Sequence, residues 1–214
     1  MSGDYTVVGA YLDDEAGTNS GAAYVFIRYE ENLYLRKKLT PGDGVAEGFF
    51  GHAVSMDTDT IIVGAPGDND GGLGAGAAYI FVLNNNDTAD DPSDDFWTQQ
   101  AKLTAIDASA DDALGHSVAI SGDTVIVGAY LDDDAGTSSG AAYVFQRNGT
   151  TWIEAAKLTA NSAAAGDFFG FSVDVDADTA IDQSERDVTF TCSQSVWHTS
   201  QPHVSTSRTR LVGS

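Results

Sequence analysis

Apolar residues along this chain come in short runs, many alternating with polar ones, and each run stops at a cluster of Gly, Asp, Ser or Thr. That pattern predicts strands joined by turns. Phe50–Met56 reads as one strand, Thr60–Ala65 as a second rich in β-branched residues, Gly76–Leu83 as a third and Phe96–Thr104 as a fourth. Asp57-Thr58-Asp59-Thr60 and Ser121-Gly122-Asp123-Thr124 read as the tight turns between such strands. The apolar spacing of three and four that marks helices is absent, so the chain is predicted to be all-β.

The same pattern recurs. Residues 7–26 read VVGAYLDDEAGTNSGAAYVF, residues 62–81 read IVGAPGDNDGGLGAGAAYIF, and residues 126–145 read IVGAYLDDDAGTSSGAAYVF. A second block returns as GFFGHAVSM (48–56), LGHSVAI (114–120) and DFFGFSVDV (167–175). A third is Lys-Leu-Thr, at Lys38, Lys102 and Lys157. Four strands per unit match one propeller blade, and self-similarity at this period marks a repeat architecture. The polar stretch from Asn84 to Asp95 lengthens one unit and reads as a loop between two strands. Bulky Phe50, Tyr79, Phe81 and Trp97 are expected to fill the space between blade faces. The small residues of Val-Gly-Ala and Gly-Ala-Ala are expected where strands of neighbouring blades come close.

Phe-Gly at 50–51 and 169–170, followed by Val-Gly-Ala-Pro at 63–66, resembles the FG-GAP repeat of integrin α-chain propellers and their relatives. The resemblance covers residues 1 to about 181. It implies a partial β-propeller of about three four-stranded antiparallel blades, used outside the cell or at its surface for binding or adhesion and not for catalysis. The units read as an incomplete first blade (1–40), a second (41–104), a third (105–159), the start of a fourth (160–181), and a disordered or artefactual non-repeat tail (182–214). Met1 aligns with Ile120, inside a blade, so the first blade is expected to lack its opening strand, as in a fragment of a longer propeller. Open blade faces then suggest self-association.

Charge narrows the partners. With 32 acidic against 10 basic residues the net charge is -22, which repels nucleic acid and anionic lipid and attracts cations. No apolar run is long enough to span a membrane, and no signal peptide is visible. The single Cys192 excludes an internal disulfide framework. Asn86 and Asn148 stand in Asn-x-Thr sequons, which matter for a secreted glycoprotein.

Three acidic clusters follow Val-Gly-Ala at the same place in each repeat: Asp13-Asp14-Glu15, Asp68-Asn69-Asp70 and Asp132-Asp133-Asp134. Carboxylates and loop carbonyls are the hard oxygen donors that Ca2+ takes, so these nine residues are the candidate metal ligands. The competing reading is a solvated acidic loop. Many FG-GAP repeats carry an Asp-x-Asp-x-Asp-Gly loop ahead of the Val-Gly-Ala strand, but here that place holds only tight turns. The run Asp174, Asp176, Asp178, Asp182 lacks the central Gly and reads as coincidence. His52, His116 and Phe171 share one repeat position, which favours packing over metal ligation. No nucleophile motif or phosphate loop occurs. The expected partner is a protein ligand or, alternatively, a glycan stacked on Trp97 or Trp152. A truncated product without function is the remaining alternative.

Overall fold

The computed structural model describes residues 4–84, 95–176, 179–182 and 188–191. Fourteen strands and no helix fill these segments, in four antiparallel sheets. The first contains β1 (Asp4–Ala10), β2 (Ala22–Tyr29) and β3 (Asn32–Leu39). The second contains β4 (Val54–Asp57), β5 (Thr60–Ala65), β6 (Ala77–Asn84) and β7 (Phe96–Leu103). The third repeats that order with β8 (Ser117–Ser121), β9 (Thr124–Ala129), β10 (Ala141–Asn148) and β11 (Thr151–Leu158). The fourth contains β12 (Val173–Asp176), β13 (Thr179–Asp182) and β14 (Val188–Thr191). Each is an up-and-down meander.

The predicted strands agree with these to within a few residues. Phe50 is the exception: it lies ahead of β4 and bridges to Gly21 of the preceding blade. Among the described residues the first sheet begins at the strand equivalent to β9 and has three strands. Backbone pairing in the fourth sheet reaches Thr191, inside the segment read as a non-repeat tail. Asp178, Cys192 and the rest of that tail lie outside the described residues, as do Asn86 and most of the β6–β7 insertion.

The sheets stack face to face, with β4, β8 and β12 side by side along one edge of the stack. Strands β5 and β9 are buried along their whole length, which is why TIIVGA and TVIVGA are almost wholly apolar. Period-two alternation divides their side chains between two cores. Ile61, Val63, Tyr79 and Phe81 face the first blade, where they meet Val25, Leu39 and Phe50. Ile62, Ala78 and Ile80 face the third blade and meet Val125, Val127, Tyr143 and Phe145. Ile126, Ala142 and Val144 face the fourth, against Phe169 and Val175. Burying several large side chains at about 25 cal/mol per Å2 makes these interfaces the main source of stability.

Where blades meet, backbone touches backbone. A Cβ on Gly64 would lie 1.9 Å from the carbonyl oxygen of Gly115. Gly76, with φ of 84°, bridges to Leu114, and a Cβ there would lie 2.2 Å from the Leu114 carbonyl oxygen. Only glycine fits either position. The equivalent bridges Gly21 to Phe50 and Gly140 to Phe169 join the other blades.

Each outer hairpin also carries the same bulge, with register shifts at Val25/Phe26, Ile80/Phe81 and Val144/Phe145. In the second blade the extra residue is Gln100, and the bulge aims its amide at the next blade. Trp152 Nε1 donates to Gln100 Oε1 at 3.0 Å, and the Arg147 guanidinium stacks 5.0 Å above the Trp152 ring.

Candidate functional site

Two features repeat with the blades and carry polar or aromatic chemistry. The first is built on the acidic loops predicted as metal sites. Antiparallel pairing puts Tyr24 opposite Lys38, Tyr79 opposite Lys102 and Tyr143 opposite Lys157. Each lysine then lies over its tyrosine ring, 5.2–5.6 Å from the centroid, and reaches the loop that follows Val-Gly-Ala.

In the second blade Lys102 Nζ donates to Asp70 at 2.6 Å and Asp43 at 2.9 Å, and pairs with Asp68 at 2.9 Å. Tyr79 OH donates to Asp68 at 2.7 Å and to Asp43 at 3.0 Å. In the third blade Lys157 holds Asp107, Asp132 and Asp134 at 2.8, 2.8 and 2.6 Å, and Tyr143 donates to Asp107 and Asp132. In the first, Lys38 holds Asp13 at 2.8 Å and also Glu15, and Tyr24 donates to Asp13. The middle residues do other work. Asp14, Asn69 and Asp133 each accept, through Oδ1, the backbone N–H five residues on and so close the loop.

The electrostatics follow from this geometry. Burial opposes the charge on Lys102, but its hydrogen bonds to Asp70, Asp43 and Asp68 outweigh that and raise its pKa; Lys157 behaves alike. Burial would raise the pKa of Asp43 and Asp107, yet the lysine and tyrosine hydrogen bonds hold both below the usual carboxylate value. Asp112 lies beside the third cluster, buried, with Ser109 N–H donating to it at 2.7 Å. Burial is the main cause that pushes its pKa up to about 6, and the charge on Asp132 adds to it.

All nine predicted ligands thus fall in the predicted loops, but the outer two of each cluster converge on a lysine ammonium group while the middle one closes the loop. Among the described residues no set of three or more His, Cys, Asp or Glu side chains is arranged to hold a metal ion. Sequence reasoning missed Asp43, Asp107, the three lysines and the three tyrosines as parts of these clusters. The signal was present in the recurrence of Lys-Leu-Thr and Gly-Ala-Ala-Tyr at matching positions.

The second feature is a row of rings on the turns that enter and leave the blades. Tyr11 packs on His52 (5.4 Å between centroids), His52 on His116 (4.7 Å), and His116 on Tyr130 (4.2 Å) and Phe171 (4.8 Å). His52, His116 and Phe171 therefore pack as their shared position suggests. His52 Nδ1 donates to the His116 carbonyl oxygen at 3.1 Å. Burial and then the neighbouring His52 lower the His116 pKa to about 4, so its ring is neutral at pH 7. Tyr11, Phe168 and Phe171 remain more than 40% exposed. A shallow cleft of about 400 Å3 opens beside the row, lined by Tyr11, Phe49, His52, Asp111, His116 and Tyr130. Trp97 and Trp152, offered above as sugar-stacking surfaces, are buried between blades at 5% and 9% exposure, so neither ring face is open to a ligand.

Repeated antiparallel meanders, packed face to face and tied by the same bridges, define an arc of a β-propeller. The FG-GAP repeat family matches residues 1–26, 35–81, 97–145 and 152–181, and the chain belongs to that family. A comparison with curated proteins finds no match.

Proposed function

We propose that this chain is a non-enzymatic propeller module that binds a protein or glycan ligand outside the cell or at its surface, through the row of rings running from Tyr11 to Phe171. One observation carries the reading. The buried polar groups of the repeat are turned inward on one another, whereas Tyr11, His52 and Phe171 stand exposed in a row joined through half-buried His116, and a cleft opens along its Tyr11–His116 part. Aromatic faces supply contact area with little side-chain entropy to lose, and they suit the apolar faces of sugars as well as protein side chains. The acidic surface favours ligands with basic groups and disfavours nucleic acid and anionic membranes. Calcium enters this reading only as a competitor for carboxylates that lysine holds. Self-association belongs to it through the exposed face of the first blade, where Val8, Leu33 and Leu35 are 49%, 58% and 56% exposed.

The test is a glycan array, alongside a panel of immobilised extracellular-matrix proteins, probed with the intact chain and with Tyr11→Ala/Phe171→Ala. Binding by the intact chain that the double variant loses tenfold or more, with its circular dichroism unchanged, supports the reading. Binding that survives the double substitution refutes it. The array separates the glycan reading from the protein one.

A further inference from the structure

The acidic loops resemble cation sites, and each already holds a cation. Lys102 has three N–H donors, and three carboxylates, of Asp43, Asp68 and Asp70, lie within 2.9 Å of its nitrogen. Lys157 repeats this with Asp107, Asp132 and Asp134. The central acids are saturated from other sides as well. Asp68 Oδ1 accepts Asp70 N–H and its Oδ2 accepts the Tyr79 hydroxyl, and Asp132 makes the same two contacts with Asp134 N–H and Tyr143. Asn69 stands where Asp14 and Asp133 stand and makes the same loop-closing bond with an amide, so negative charge is not needed at that place.

The origin of the third carboxylate carries the argument further. Asp43 belongs to the connection that leaves the first blade, and Asp107 to the connection that leaves the second. Each lies five residues after the lysine of its own blade, Lys38 or Lys102, yet pairs with the lysine of the blade that follows. One strand therefore receives an acid from the blade before it and delivers another to the blade after it. At the next step the residue five past Lys157 is Ser162, so the series of acids handed to a following blade stops there.

We propose that Lys102 and Lys157 are the resident cations of these loops and act as latches between successive blades, so that the arc holds its acidic loops closed without calcium. Calcium needs six to eight oxygens, and it would have to displace an ammonium whose side chain is only 14% exposed in the second blade.

Calorimetry of the full chain in 5 mM calcium chloride and in EDTA tests this directly. The expected result is a Tm that agrees between the two within about 1 °C, whereas a Tm raised several degrees by calcium would overturn the proposal. Lys102→Met should lower Tm by roughly 6–12 °C, because it strands the buried carboxylate of Asp68. If that variant does not fold, half-exposed Asp43→Asn serves instead and should lower Tm by a few degrees. The latch is read from coupling. Asp43→Asn and Lys102→Met should be clearly non-additive, and Asp43→Asn and Lys157→Met additive. If Lys102→Met folds, additivity of the first pair would overturn the cross-blade role; if it does not, an unchanged Tm in Asp43→Asn would do so.

Discussion

The first and third blades are nearly the same sequence in different surroundings. Val8 and Val127 occupy equivalent places in VVGA and IVGA, yet Val8 is 49% exposed and Val127 is fully buried. Tyr24 and Phe26 are partly exposed, whereas Tyr143 and Phe145 are buried against the second blade. The alternation along each strand is identical. What differs is the neighbour, since no sheet among the described residues covers that face of the first blade. Burial in a propeller is thus a property of a pair of blades, and the strand pattern states only which face requires a partner.

The largest effect that would break this comparison comes from a charge. Val127→Asp buries an unpaired carboxylate and should cost about 4 kcal/mol or more in a urea titration, while Val8→Asp should stay within about 1 kcal/mol of the parent. Similar losses at the two sites would show that the first face is covered in solution. Next in size is Tyr143→Phe, which removes the hydroxyl shared by Asp107 and Asp132 and should cost about 1–2 kcal/mol; Tyr24→Phe removes a single bond to Asp13 and should cost less.

Two pH-dependent effects sharpen the contrast between blade junctions. Gly48 occupies in the first junction the place that Asp112 fills in the second. The folded pKa of Asp112 is about 6 against 3.8 ordinarily, so the folded state holds that proton more tightly and stability declines as pH rises from 3.8 to 6. Asp112→Asn keeps the acceptor for Ser109 N–H and should gain about 1–2 kcal/mol at pH 7 and nothing at pH 3.5. His116 has the opposite sign of slope. Its folded pKa is about 4 against 6.5, so stability is lost as pH falls from 6.5 towards 4. His116→Phe, which copies Phe171, should match the parent at pH 7.5 and gain about 1 kcal/mol at pH 5, measured by thermal melts at both pH values. The smallest change is Ser138→Gly. Ser138 has φ of 52° at the place where the second blade has Gly74, and relieving it should gain roughly 0.5–1 kcal/mol.

The strands and the packing of Tyr79, Phe81 and Trp97 between blade faces were legible from alternation and repetition. The site was only half legible. Repetition located the loops at Asp13, Asp68 and Asp132 and offered their carboxylates as calcium ligands, but it did not reveal the lysines that reach them. Those lysines follow from register: Lys102 reaches Asp68 because it pairs with Tyr79, and Asp43 joins them through contact between blades. The recurrence of these residues is visible in the sequence, but which of them meet is fixed only by strand register and by the packing of one blade on the next. The row of rings was missed as a surface for the same reason, since Tyr11, His52 and His116 are adjacent only once blades stack. The open lectin surface on Trp97 and Trp152 failed because large aromatics at outer strands are the side chains that best fill the gap between sheets.

The glycine seams have a mechanical meaning. Phe50 N–H donates to Ser20, Leu114 N–H to Ala75 and Phe169 N–H to Ser139, at 3.1, 2.9 and 3.0 Å. These bonds run from sheet to sheet, across the direction in which each sheet is knitted. A pull that separates two blades must therefore break main-chain bonds together with the apolar contact, so the joint resists shear along the stack as well as peeling. The arc behaves less like a pile of plates than like a chain whose links are closed.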